Sequence, residues 1–370
     1  MRKSKVVLFA CIEKNIGDDL FVKIVCNRYP NVEFVITSDA NYGSLSNIPN
    51  LNFDNKIKKW IWASNIGQKS VFKSMIGHVL CLYYKLRMPK YRYAVNIVGN
   101  AFKNMSYEGW LQSRWMRERL RLVKEYILIS TNFGPYTDSR WKKDFDTIFS
   151  TVTDVCFRDI ASFELFKNIP SVRYAPDAVL SLGKQTHNKG GKTVIISVID
   201  CLMPQRGTRL NESAKCYESL MSKCADFYAK NGFSVVLLNS NTDQDNDASR
   251  RILEGCKEKE QIRIFSYKGN IEEIMELYSS TQKVIATRLH TIILAWLFDI
   301  PVIPVVYDIK VGNILKSYGF TGEKYDIDGL ENVQTEQIDH SFEKYDYKIS
   351  DDLIKQANEQ FEVLDRIFNN

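Results

Sequence analysis

Residues 284–315 read VIATRLHTIILAWLFDIPVIPVVYDIKVGNIL, and the fold is decided here. Val284-Ile285-Ala286 is a short apolar run bounded by polar residues, which reads as a buried strand. Thr291–Phe298 is almost wholly apolar and reads as a buried helix. Pro301–Val306 is a second strand, and Asp308–Leu315 opens a second helix. The charged side chains fall where the strands end: Arg288 and His290 after the first, Asp308 and Lys310 after the second. In open α/β sheets, ligands bind beyond those carboxyl ends. An Arg, a His and a Lys converging there suit a small anion that has to be both bound and protonated.

Outward from this stretch the same alternation recurs. Lys5–Ala10, Val32–Thr37, Tyr93–Val98, Tyr126–Ser130, Val155–Phe157 and Val172–Tyr174 read as strands. Asp18–Arg28, Lys69–Met88, Ser113–Lys124, Trp141–Phe149 and Asp159–Lys167 read as helices between or after them. The run 183–192, GKQTHNKGGK, is polar with three glycines and reads as a linker. A second series follows it: strands at Thr193–Ile199, Ser234–Leu238 and Ile262–Phe265, helices at Glu212–Lys230, Asp245–Cys256 and Ile271–Ser279. Strands alternating with helices on both sides of a linker predict an α/β protein of two doubly wound, Rossmann-like domains facing a cleft. The boundaries are 1–182 and 193–350. Thr321–Tyr347 reads as an acidic, irregular tail, and Asp351–Phe368 within 351–370 as a final helix able to cross back to the first domain.

At 370 residues, with 45% apolar and 25% charged side chains, each half can bury a core. Eight cysteines carry no CxxC pair and no zinc spacing, which favours reduced thiols in a cytosolic protein and argues against a metal. The basic start before VVLFACI has too short an apolar run for a signal peptide, and no run is long enough to span a membrane. The net charge of +6 hides an asymmetry: residues 56–124 hold fifteen Lys/Arg against Glu108 and Glu118, a surplus of +13. Trp60, Trp62, Tyr83, Tyr84, Tyr91, Tyr93, Trp110 and Trp115 lie among these charges. A solvated face is the plain reading. No recognition motif supports nucleic acid. An anionic membrane surface fits best, since cations near it contribute about 1 kcal/mol each and Trp and Tyr favour the interface.

Each candidate site residue also has a structural reading. His290 can simply pack at a helix start, Arg288 can pair with an acid, and Asp308 and Lys310 can form a surface pair worth little. In Asn15-Ile16-Gly17-Asp18-Asp19, two carboxylates are wrong for a phosphate cradle. Asp18 is then either a helix cap or a carboxylate that holds or deprotonates a sugar hydroxyl. Arg158 is either a second anion-binding arginine or an ion pair to Asp159 or Asp177, and Asp177 can orient an arginine.

Taken in order, Asn15–Asp19, Phe133-Gly134-Pro135-Tyr136-Thr137-Asp138, Arg158–Ser162, Tyr174–Asp177, Thr287–His290, Ile300–Val302 and Tyr307–Lys310 resemble the polysaccharide pyruvyl transferase family. A departure is Gly99-Asn100, where relatives often carry two glycines. The resemblance implies a GT-B-like pair of Rossmann-like domains. It implies transfer of pyruvate from phosphoenolpyruvate to two hydroxyls of one sugar, giving a cyclic ketal and phosphate, with no cofactor. Its RLH motif falls on Arg288, Leu289 and His290. By that carry-over Arg288 holds the donor and His290 is the general acid. Arg288, Lys310 and Arg158 can supply the cations the donor needs, and Gly17, Asp18 and Asp19 would face the acceptor, with Asp18 as base. Asp177 and Asp308 are expected to support them. The acceptor is expected to be a lipid-linked saccharide at the inner face of the membrane. Two other readings stand beside this one: a GT-B glycosyltransferase using a nucleotide sugar, and a non-catalytic membrane-peripheral scaffold of envelope assembly.

Overall fold

A computed structural model describes residues 4–38, 42–56, 58–59, 79, 91–99, 102–104, 116–117, 119–120, 122–188 and 190–369. Most of the basic segment 56–124, the helices expected at 69–88 and 113–124, and Asn100 lie outside the described residues or largely so.

The chain divides into two units. The first comprises residues 1–12, 21–178 and 358–370; the second comprises 13–20 and 179–357. The first unit is built on a parallel sheet of seven strands in the order β3-β2-β1-β4-β6-β8-β9. These are β1 (Lys5–Phe9), β2 (Glu33–Ile36), β3 (Leu51–Phe53), β4 (Tyr93–Asn96), β6 (Glu125–Thr131), β8 (Asp154–Phe157) and β9 (Val172–Tyr174). A short pair, β5 (Phe102–Asn104) with β7 (Phe133–Tyr136), stands apart from this sheet. Helices α1 (Ile16–Arg28), α2 (Ser139–Phe149) and α3 (Ile160–Phe166) are interleaved with the strands. Trp141, Phe145 and Phe149 of α2 meet Phe133 and Phe166 in an aromatic core.

The second unit has six parallel strands in the order β12-β11-β10-β13-β14-β15. They are β10 (Thr193–Ser197), β11 (Ser234–Asn239), β12 (Ile262–Ser266), β13 (Thr281–Ala286), β14 (Val302–Val306) and β15 (Tyr325–Asp326). Sheets covered on both faces need strands that are apolar throughout, not alternating. That is why Val194-Ile195-Ile196, Val235–Leu238 and Val284-Ile285 are all fully buried. The helices are α4 (Thr208–Lys230), α5 (Thr242–Gly255), α6 (Ile271–Ser279), α7 (Leu289–Leu297), α8 (Ile309–Ser317), α9 (Thr335–Glu343) and α10 (Asp351–Gln356). The order of strands reverses between β10 and β13. This is the switch point where a doubly wound sheet opens a crevice for ligands.

Four sequence expectations change. The polar run 183–192 is not where the units part; the division comes at Ala178, before Val179 and Leu180, which are fully buried. The run is instead tied down along its length, with Gln185 N–H to the Leu297 carbonyl (2.8 Å), His187 Nε2 to the Thr281 carbonyl (2.7 Å) and Asn188 N–H to the Ser279 carbonyl (2.7 Å). The tail 321–347 is not irregular: it holds β15, a 3-10 turn and α9, whose Ile338 and Phe342 are buried. The helix expected over 351–368 is two helices, α10 and α11 (Glu362–Phe368), joined by a 3-10 turn. Finally, residues 13–20 belong with the second unit, not with 1–182.

Residues 358–370 belong to the first unit, and polar groups hold them there. Gln360 is fully buried; it accepts from Ser130 N–H (2.7 Å) and donates to the Ala175 carbonyl (2.6 Å). Asp365 takes a bidentate pair from Arg28 (2.9 and 2.7 Å) and a hydrogen bond from the Tyr29 hydroxyl (2.8 Å).

Candidate active site

Five strands of the second unit deliver their carboxyl ends to one place. After β13 the chain turns at Arg288 into α7, so His290 stands in the first turn of that helix. The turn is braced from beneath: the Thr287 hydroxyl donates to the Ser197 carbonyl at the end of β10 (2.8 Å) and meets the Tyr217 hydroxyl (2.9 Å). After β14, Asp308 caps α8 by accepting from Lys310 N–H (3.1 Å), and its carboxylate lies 3.5 Å from Lys310 Nζ. Both Asp308 and Lys310 are therefore fixed at the strand end, as the sequence placed them.

Two residues that the sequence reading passed over complete the cluster. Asp245, in the first turn of α5 beyond β11, is fully buried. Its Oδ1 accepts from Arg288 Nη2 (2.6 Å) and its Oδ2 from Arg288 Nε (3.0 Å), the bidentate geometry that fits a guanidinium to a carboxylate. Arg206, in the loop after β10, reaches the same carboxylate at 3.4 Å and Gln244 Oε1 at 3.3 Å. Its buried Nε has no hydrogen-bond partner among the described residues. The Arg206 guanidinium lies over the Tyr307 ring, 5.4 Å from its centroid, and Lys310 Nζ is 5.9 Å from the same centroid.

The electrostatics follow from these positions. Burial alone would push the Tyr307 phenol up, but Lys310, Arg288 and Arg206 together outweigh it and hold the phenol below its usual value. Burial works against the charge of Arg288, yet Asp245 and the neighbouring phenols of Tyr307 and Tyr217 raise its pKa above that of an ordinary arginine. Three cations thus gather around one ring, with one buried carboxylate shared by the two arginines. The set can hold an anion, and Arg206 and Lys310 are held less tightly than Arg288.

His290 is half-buried and packs against the amino end of α1. Asn15 caps that helix, its Oδ1 accepting from Gly17 N–H (3.0 Å), so Asp18 is not the cap but lies inside the first turn. Asp19, expected to face an acceptor, is fully buried and accepts from the Tyr267 hydroxyl (2.7 Å), beyond β12. Leu289 is also buried, so what it can offer a ligand is its main-chain amide.

Arg158 takes up the ion pair to Asp177, one of its two expected roles. It is 3% exposed, pairs with fully buried Asp177 at 2.9 Å, and donates to the Gly99 carbonyl and to Asn132 Oδ1, both at 3.0 Å. A buried arginine needs such acceptors in place of water. Arg158 and Asp177 clamp the loops beyond β4, β6 and β8 of the first unit.

Residues 15–309 match the family described as Polysaccharide pyruvyl transferase. The chain belongs to that family. Among curated proteins, the chain is similar to the amylovoran biosynthesis protein AmsJ of Erwinia amylovora. The two are 22% identical over 293 residues, covering 73% of this chain and 70% of the relative. Among solved structures, it resembles UDP-GlcNAc 2-epimerase from Neisseria meningitidis, with a TM-score of 0.55 at 9% identity over 99% of this chain and 100% of the other. HepE of Anabaena, solved with UDP and glucose, gives 0.52 at 10% identity, again over 99% and 100%. At such identities the likeness shows the fold alone, and that fold is the GT-B type. Among the described residues, no helix is long and apolar enough to cross a membrane.

Proposed function

We propose that this protein transfers pyruvate from phosphoenolpyruvate to two hydroxyls of one sugar in a lipid-linked oligosaccharide precursor of a surface polysaccharide. The observation that carries the reading is the cation cluster of Arg206, Arg288 and Lys310 around Tyr307, with His290 on the neighbouring helix turn. Phosphoenolpyruvate brings a phosphate and a carboxylate on three carbons, and three cations at the carboxyl end of one sheet match that density of charge. The amino end of α7 adds main-chain N–H donors.

In this reading His290 gives a proton to the methylene carbon, which becomes a methyl group, and C2 turns cation-like. One sugar hydroxyl adds to C2 as its proton passes to a base, for which Asp18, beside Gly17, is the candidate. The second hydroxyl then bonds to C2 as the C2–O bond to phosphate breaks. Phosphate leaves with the electron pair and the last proton, and both sugar oxygens end on one ketal carbon.

The test is ketal formation. Purified protein, phosphoenolpyruvate and lipid-linked precursor from the producing cell should yield phosphate and a new ketal methyl signal by NMR. His290→Ala should abolish both while the fold persists. Sugar transfer from a nucleotide sugar with the same precursor, and no ketal, would replace this reading with a GT-B glycosyltransferase. The membrane part rests on the +13 surplus of residues 56–124. Flotation with anionic liposomes should be lost in high salt, because exposed charges are then screened; absence of salt-sensitive binding would remove it.

A further inference from the structure

Gly17 touches the proposed acid directly. A Cβ built on it would lie 1.7 Å from His290 Nδ1, 2.2 Å from Cε1 and 2.3 Å from Cγ. Ordinary non-bonded contact begins near about 3.5 Å, so the imidazole fills the space that any side chain at position 17 would need.

The turn carrying Gly17 is not at liberty to retreat. Ile16 N–H donates to the Ser240 carbonyl (3.0 Å), and Asn15 pairs with Asn241 as an isolated bridge, both just beyond β11. Asn15 caps the helix through Gly17 N–H itself. Asp19, two residues on, is bound to the Tyr267 hydroxyl at 2.7 Å in a fully buried position. The glycine is therefore held from both sides while it faces the ring. Its backbone is helical, with no positive φ, so an unusual conformation is not what calls for glycine.

We propose that Gly17 is a positioning residue: its bare Cα forms the wall that sets where the His290 imidazole stands, and residues 15–19 serve the proton donor before they serve any acceptor. This rests on His290 being the acid of the proposed reaction. Misplacement of a catalytic group by an ångström can cost on the order of 100-fold, and a methyl at position 17 demands at least that displacement.

The experiment is Gly17→Ala, read three ways. The protein has four histidines, His78, His187, His290 and His340. In histidine-labelled protein the Hε1 resonance of His290, assigned by its loss in His290→Ala, should move further than the other three. Phosphoenolpyruvate affinity by calorimetry should stay within about twofold, since no cation is touched, while kcat falls about 100-fold. Gly17→Ala in a His290→Ala background should not lower the unfolding midpoint further, because the ring it displaces is gone. If Gly17→Ala alone fails to fold, the double variant should fold, and its failure to do so overturns the proposal. A His290 resonance that stays in place, or one that moves with kcat unchanged, also overturns it. The donor reading fails by a different result, absence of phosphoenolpyruvate binding to the wild-type protein, so the two failures are distinguishable.

Discussion

Asp245 holds Arg288 in a two-point grip, Oδ1 to Nη2 at 2.6 Å and Oδ2 to Nε at 3.0 Å, and the carboxylate that does so is fully buried. The pair fixes the plane of the guanidinium before any ligand arrives. It also leaves Nη1 outside the grip. A donor anion would meet an arginine already oriented, with its rotamer entropy already spent.

Breaking that pair should be costly on both counts. Asp245→Asn keeps the shape but leaves two arginines facing a neutral amide, and removing one partner of a buried pair typically costs about 3–5 kcal/mol. Urea unfolding should show a loss of that order. Asp245→Asn with stability within about 0.5 kcal/mol of wild type, a change typical of surface sites, would mean that the grip is ornamental.

Tyr307 should report the charge of the site. Its phenol ionises below the usual tyrosine range because Lys310, Arg288 and Arg206 outweigh the effect of burial. Difference absorbance between wild type and Tyr307→Phe should therefore show one phenol titrating before the others as pH rises. Phosphoenolpyruvate would neutralise those cations, so the same phenol should titrate later with donor present. As with any acid whose folded pKa is depressed, the stability it contributes is present above the unfolded value and is lost as pH falls through the folded one. A titration unmoved by the donor would separate the cluster from donor binding.

The carboxyl-terminal segment is anchored by a carboxylate of the same kind. Burial raises Asp365, but hydrogen bonds from Arg28 and Tyr29 outweigh it and hold the group below its usual value. Its contribution is complete above the unfolded carboxylate value of about 3.9 and is lost as pH falls through the lower, folded value. Asp365→Asn should cost about 2 kcal/mol near neutral pH, the order expected for hydrogen bonds to a charged group, and much less under acid. Equal losses at pH 7 and pH 3, measured by denaturant unfolding, would contradict the assignment.

The sheet was legible because a strand buried on both faces must be apolar throughout, and runs such as Val194-Ile195-Ile196 or Val235–Leu238 admit few other readings. Arg288, His290, Asp308 and Lys310 were legible because they interrupt such runs at the strand ends. Asp245 and Arg206 were not. Each sits in a polar stretch where one more charge is unremarkable, and their partners are distant in sequence: Arg288 lies 43 residues from Asp245, and Asp245 lies 39 from Arg206. The strand-end rule extended to β10 and β11 points to both loops, though not to the pairing. Gly17 was read with the strand it follows, yet its turn is bonded to loops more than two hundred residues later. Arg158 looked like Arg288 in sequence, an arginine directly after a strand. Only its burial against Asp177, Asn132 and the Gly99 carbonyl tells the two apart.

The proposed donor site is the cluster of Arg206, Arg288 and Lys310, which would hold phosphoenolpyruvate. Thermal unfolding of wild type and Arg206→Ala, each with phosphoenolpyruvate, UDP or a UDP-sugar, tests it most directly and needs no acceptor. A ligand at a hundredfold its dissociation constant adds about 2.7 kcal/mol, which is visible as a shift in midpoint. The midpoint should rise with phosphoenolpyruvate alone, and the rise should be strongly reduced in Arg206→Ala. A rise with UDP compounds and none with phosphoenolpyruvate would contradict it.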